Sequence, residues 1–69
     1  MKNKLDLHGI KHADVEILVE DFVLTNNKPM QIITGNSETM RKKTISILEN
    51  HNFKWMIMTQ NLGEIIVIG

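Results

Sequence analysis

Apolar residues recur along this chain with two spacings, and the switches between them mark out its elements. From Lys4 to His8 the pattern alternates, Leu5 and Leu7 against Asp6 and His8, which is the period of a strand. It is short enough to lie at a sheet edge. From about Lys11 to Asn26, Val15, Leu18, Val19, Phe22 and Val23 fall at i, i+3, i+4, i+7 and i+8, one stripe of a helix. Asn26-Asn27-Lys28-Pro29 ends that helix, since a proline disfavours the α conformation at the residue before it.

A second strand runs from Met30 to Thr34. Gly35-Asn36-Ser37 then makes a turn in which Asn36 or Ser37 caps a second helix. Its stripe is Met40, Thr44, Ile47 and Leu48, with His51 at the end, and Arg41, Lys42 and Lys43 lie on its other face. Asn50 to Asn52 breaks it. Phe53 to Thr59 alternates Phe53, Trp55 and Ile57 against Lys54, Met56 and Met58, Gln60-Asn61-Leu62-Gly63 reads as a hairpin loop, and Glu64 to Ile68 is a nearly continuous apolar run. Such a run suits a central strand covered on both faces.

The order is β-α-β-α-β-β. Right-handed crossovers put both helices on one side of the sheet, giving an α/β chain built as an α+β two-layer sandwich with one sheet face uncovered. Nothing marks a linker or repeat, so residues 1–69 read as a single domain.

At 69 residues, only about 60% of the unfolded chain's surface can be buried. The chain has no cysteine, so side-chain packing alone must hold the core. That absence fits a reducing compartment. No apolar run approaches a membrane span and the first residues lead straight into a strand pattern, so the expected location is cytoplasmic, with no membrane partner. Eight basic residues balance eight acidic ones, so any affinity for nucleic acid has to come from a local patch.

The stretch Leu5-Asp6-Leu7-His8-Gly9 carries the candidate chemistry. Residues two apart in a strand share a face, so Asp6 and His8 are expected side by side where the strand stops, with Gly9 letting the backbone turn. The strand ends His8-Gly9 and Thr34-Gly35 would meet beside two helix N-termini. Helix N-termini favour an anion such as a phosphate.

Laid out in this way, the chain resembles the Smr domain, the small module found alone or at the C-terminus of MutS2-type proteins. The resemblance rests on LDLHG at Leu5 to Gly9, the helix after it, Ile32-Ile33-Thr34-Gly35, a second helix and a closing strand after Gly63. It implies a fold like the C-terminal domain of translation initiation factor three, with a mixed four-stranded sheet of order 1-2-4-3 and strand four antiparallel. The family's first motif is complete here. Its second, TGxG, is half present, with Ser37 in place of the second glycine and Glu38-Thr39 where a histidine-serine pair often follows. Some Smr domains cut DNA or RNA and others bind without cutting.

The expected function is accordingly binding of a DNA or RNA backbone, with endonuclease activity second to it. Gly9, Lys11, His12, Thr34, Gly35, Asn36, Ser37, Arg41 and Lys42 are the expected contacts, with Lys43 on the same basic run. If the domain cuts, His8 is the general acid or base and Asp6 orients it or shares a Mg2+ or Mn2+ ion with water and phosphate. One carboxylate is a poor metal site, so Mg2+ or Mn2+ enters only with nuclease activity and no other cofactor is assigned. Plainer roles compete with these: a strand-end aspartate commonly caps a turn, Thr34 to Ser37 can be an ordinary strand-to-helix turn, and a basic helical run is commonly a solvated face.

Both faces of the last two strands carry large apolar groups, while helices cover only one. An apolar patch therefore lies on the open side, and it is expected to serve a homodimer or a protein partner. A protein-interaction module of that kind and a binder of phosphorylated small molecules are the alternative functions.

Overall fold

A computed structural model gives the structure of residues 3–58 and 61–69, and the backbone alone at 58, 61 and 62. The elements are β1 (Asn3–Asp6), α1 (His12–Thr25), β2 (Met30–Ile33), α2 (Glu38–Asn50), β3 (Trp55–Met58) and β4 (Asn61–Val67). They form an α+β fold whose four-stranded sheet has the order β1-β2-β4-β3. β1 is parallel to β2, and β4 runs antiparallel to both β2 and β3.

α1 buries Val15, Val19 and Val23, with Leu18 and Phe22 packed beside them, which is the stripe its spacing predicts. α2 buries Met40, Thr44, Ile47 and Leu48. Both stripes lie over one sheet face, where Leu7, Met30, Ile32, Ile65 and Val67 complete the core. Thr44 is the one polar group in these stripes, and its hydroxyl donates to the Met40 carbonyl at 2.9 Å, so its burial leaves nothing unpaired. His51 Nε2 meets Glu20 Oε2 at 2.9 Å and ties the C-terminal end of α2 to α1.

The ends of α2 follow from local chemistry. The Ser37 hydroxyl accepts the Met40 N–H at 3.1 Å, a side-chain N-cap. At the other end Asn52 takes a left-handed conformation, φ 63°, and the Asn52 and Phe53 N–H groups return to the carbonyls of Glu49 and Leu48. This is a Schellman closure with asparagine where glycine is commonest. It brings Phe53 back onto the core, with Lys28 Nζ 5.2 Å above its ring.

β2 ends at Ile33 rather than Thr34, and β3 begins at Trp55 rather than Phe53. Three further expectations change. β1 stops at Asp6 rather than His8, because the Asp6 carboxylate captures the His8 N–H and the chain turns at Leu7–Ile10. Asn61, Leu62 and Gly63, expected in a hairpin loop, belong to β4, since the ladder with β3 resumes at Met58 opposite Asn61 after an irregularity at Ile57. Gln60 of that loop and Thr59 at the expected end of the third strand lie outside the described residues. Finally, β4 is central but covered on one face only: Ile65 and Val67 are buried, Ile66 is half-buried, and Ile68, one residue past its end, is 51% exposed. No helix among the described residues is long and apolar enough to cross a membrane.

Candidate nucleic-acid interface

The corner starts where two parallel strands end together. Asp6 is in register with Ile33, and the Leu7 N–H extends the ladder by donating to the Ile33 carbonyl at 2.8 Å. Beyond it the Asp6 Oδ1 accepts the His8 N–H at 2.9 Å, an Asx-turn, and the Ile10 N–H closes onto the Leu7 carbonyl. Gly9 supplies the left-handed step, φ +80°. The turn leaves Leu7 buried and His8 exposed.

On the neighbouring strand the chain turns at Gly35, φ +69°. His8 lies against it: a Cβ on Gly35 would stand 3.6 Å from His8 Nδ1. The imidazole and the strand-to-helix turn before α2 are therefore adjacent, which the sequence pattern requires of a shared site. The carboxylate takes the turn-capping role that a strand-end aspartate commonly has. One Asp6 oxygen holds the His8 backbone rather than being reserved for the imidazole, so Asp6 orients His8 through the turn.

Thr34 and Ser37 face inward tasks. Thr34 is 3% exposed, its N–H donates to the Gly63 carbonyl at 2.7 Å, and its hydroxyl lies 3.2 Å from the same oxygen. The hydroxyl expected to meet a ligand is thus taken up inside the fold. The Gly35 N–H also points to Gly63 O, at 3.2 Å. Ser37 caps α2, as described above. Gly9, Lys11, His12, Asn36 and Lys42 are exposed, and Arg41 is half-buried.

Charge at the corner is mixed. Lys11 occupies the N-cap position of α1 without a side-chain hydrogen bond, and Asp14 follows in the first turn. Glu38 opens α2 and pairs with Lys42 at 3.5 Å, both well exposed, a contact of small energetic weight. Carboxylates in the first turn of a helix compete with an incoming anion for the same partial positive charge. The open sheet face adds Glu64, in register with Ile33 and so across it from Asp6.

Comparison with protein-family models, curated proteins and solved structures gave no significant match.

No three His, Cys, Asp or Glu side chains gather into a metal-holding group among the described residues. Gly63 is the residue the sequence pattern misplaced. It sits in β4, 29 residues from Thr34 along the chain, and its carbonyl gathers the donors of the β2–α2 turn. Its position after a turn-rich stretch suggested a loop, and only the strand pairing brings it under Gly35. A shallow apolar groove of about 300 Å3 lies elsewhere, between Pro29, Met30, Gln31 and Ile66, near the start of β2.

Proposed function

We propose that this chain is a Smr-like domain of the cytoplasm that binds the backbone of DNA or RNA at the corner formed by His8, Gly9, Lys11, His12, Gly35, Asn36, Arg41 and Lys42. The observation that carries the reading is the contact between His8 and Gly35, which sets an exposed imidazole against the turn that opens α2. An exposed backbone turn, a helix N-terminus and nearby cations suit phosphate without selecting sequence. With acidic groups interspersed and no net charge, the affinity is modest and salt-sensitive.

Filter binding to single- and double-stranded DNA and RNA across a salt series tests this reading. Binding at low salt that falls as salt rises is the expected result, and no affinity at low salt removes the proposal. Binding of phosphorylated small molecules without any polynucleotide affinity would point to that ligand class instead.

Endonuclease activity is the further step of the same reading. His8 would move the proton and Asp6 would be a positioning residue through the turn. Incubation of bound nucleic acid with Mg2+ and with Mn2+ tests it. Cleavage lost in His8→Ala and in Asp6→Ala, with Asp6→Asn partly active because it keeps the acceptor for the His8 N–H, is the expected pattern. Cleavage unchanged in His8→Ala ends the catalytic assignment.

The exposed Met56 and Ile68, 44% and 51% accessible, favour a second reading in which the open sheet face docks a protein.

A further inference from the structure

β3 is an edge strand whose apolar side chains reach both faces of the sheet. Its residues Trp55-Met56-Ile57-Met58 include no charge, proline or glycine, the usual means by which an exposed edge is kept from pairing. The opposite edge, β1, does carry such groups, Lys4 and Asp6. Trp55 and Ile57 lie on the helix side and are only half-buried, while Met56 is on the open side beside Ile66.

The backbone at this edge has a defined phase. The Ile68 N–H donates to the Lys54 carbonyl and the Lys54 N–H to the Gly69 carbonyl, each at 2.8 Å, so Lys54 faces β4. Antiparallel bonding alternates from one residue to the next, so Trp55 and Ile57 turn their N–H and C=O groups to the free edge.

We infer that two copies of this chain join through β3, antiparallel about a two-fold axis that passes beside Met56. In that register Trp55 of each copy exchanges both backbone hydrogen bonds with Ile57 of the other. Residues of like parity meet, so the helices of both copies remain on one side and the sheet runs on without a break. Trp55 and Ile57 cover one another on the helix side. On the open side Met56 meets Met56, flanked in each copy by Ile66, and the apolar row becomes continuous across the junction.

The self-complementarity of this edge argues for a second copy over an unrelated partner, because a two-fold needs one patch that fits itself. The chain has no net charge, so copies do not repel at long range. The irregularity after Ile57 keeps the new ladder short. Its interface falls at the small end of specific contacts, and the dimer dissociates on dilution through the micromolar range. The inference concerns the sheet edge, and depends neither on docking at the open face nor on the nucleic-acid corner.

Sedimentation of the full chain across that range, with cross-linking, tests it. The native chain has no cysteine, so Met56→Cys gives an unambiguous signal. A non-hydrogen-bonded antiparallel pair holds its Cα atoms about 4.5 Å apart, within reach of a disulfide. Met56→Cys is expected to yield a covalent dimer under mild oxidation, while Ile68→Cys does not. Met56→Lys and Met56→Glu should each weaken self-association at least tenfold, and an equimolar mixture should restore it. A native chain that stays monomeric at high micromolar concentration overturns the inference. Cross-linking through Ile68→Cys but not Met56→Cys also overturns it, while leaving open-face docking in place.

Discussion

A Cβ on Gly63 would stand 2.8 Å from the carbonyl oxygen of Gly35, closer than side chains approach backbone. Gly63 is therefore held to glycine by its neighbour in the β2–α2 turn rather than by its own conformation. Gly63→Ala has to push the β2–α2 turn away, at a cost of about 1–3 kcal/mol by analogy with overpacked cores. Denaturant titration should show that loss, and nucleic-acid affinity should fall with it because His8 and Gly35 separate. Gly9→Ala is the contrast: nothing lies within 4 Å of its Cβ position, so only the left-handed backbone is strained, by about 1–2 kcal/mol.

Asp6 acts on the turn whether or not the protein cuts nucleic acid. Asp6→Ala removes the acceptor of the His8 N–H, and the loss expected for one hydrogen bond at an exposed position is about 0.5–1.5 kcal/mol. Asp6→Asn keeps an oxygen there and should lose less. Thermal denaturation of the two variants side by side measures the difference. Equal losses would show that the charge matters more than the turn.

Thr34→Val separates structure from binding. The substitution deletes the hydroxyl beside Gly63 O while preserving shape, and stability should fall by about 0.5–1.5 kcal/mol. Binding per folded molecule should not change, since the hydroxyl is buried. A variant of full stability that binds poorly would return Thr34 to the ligand-contacting set.

Asn52→Gly and Asn52→Ala probe the end of α2. The left-handed φ of 63° suits glycine and penalises alanine, which is expected to lose about 1 kcal/mol against Asn, whereas glycine holds or improves stability. Denaturant midpoints for the three proteins give the order directly.

The coupling of His51 and Glu20 is open to a double-mutant cycle with His51→Ala and Glu20→Ala. Both side chains are about one-third exposed, at 32% and 37%, so solvent screens the pair and a coupling of about 1 kcal/mol or less is expected. A coupling near zero would show that this pair adds nothing to the apolar packing between α1 and α2.

Helix positions were the most legible part of the chain. Val15, Val19 and Val23, and Met40, Thr44, Ile47 and Leu48, read directly from their spacing, because a helix burying one stripe needs an apolar residue at each turn and nothing distant alters that requirement. The element order and the single covered face follow from the same patterns and from the handedness of crossovers. Strand limits were less legible. Asn61 and Gly63 have poor strand preference, yet they pair because β4 has neighbours on both sides.

The candidate site divides in the same way. Its two turns were readable, since a glycine after a strand and a cap before a helix are local signals. Its hydrogen bonding was not. Asp6 capturing a backbone amide, Thr34 turning inward and Gly63 receiving the N–H groups of Thr34 and Gly35 depend on which oxygen lies nearest once the strands have paired. Periodicity records which face a residue occupies; the partner waiting on that face belongs to a segment far along the chain, and only packing brings the two within a bond's length.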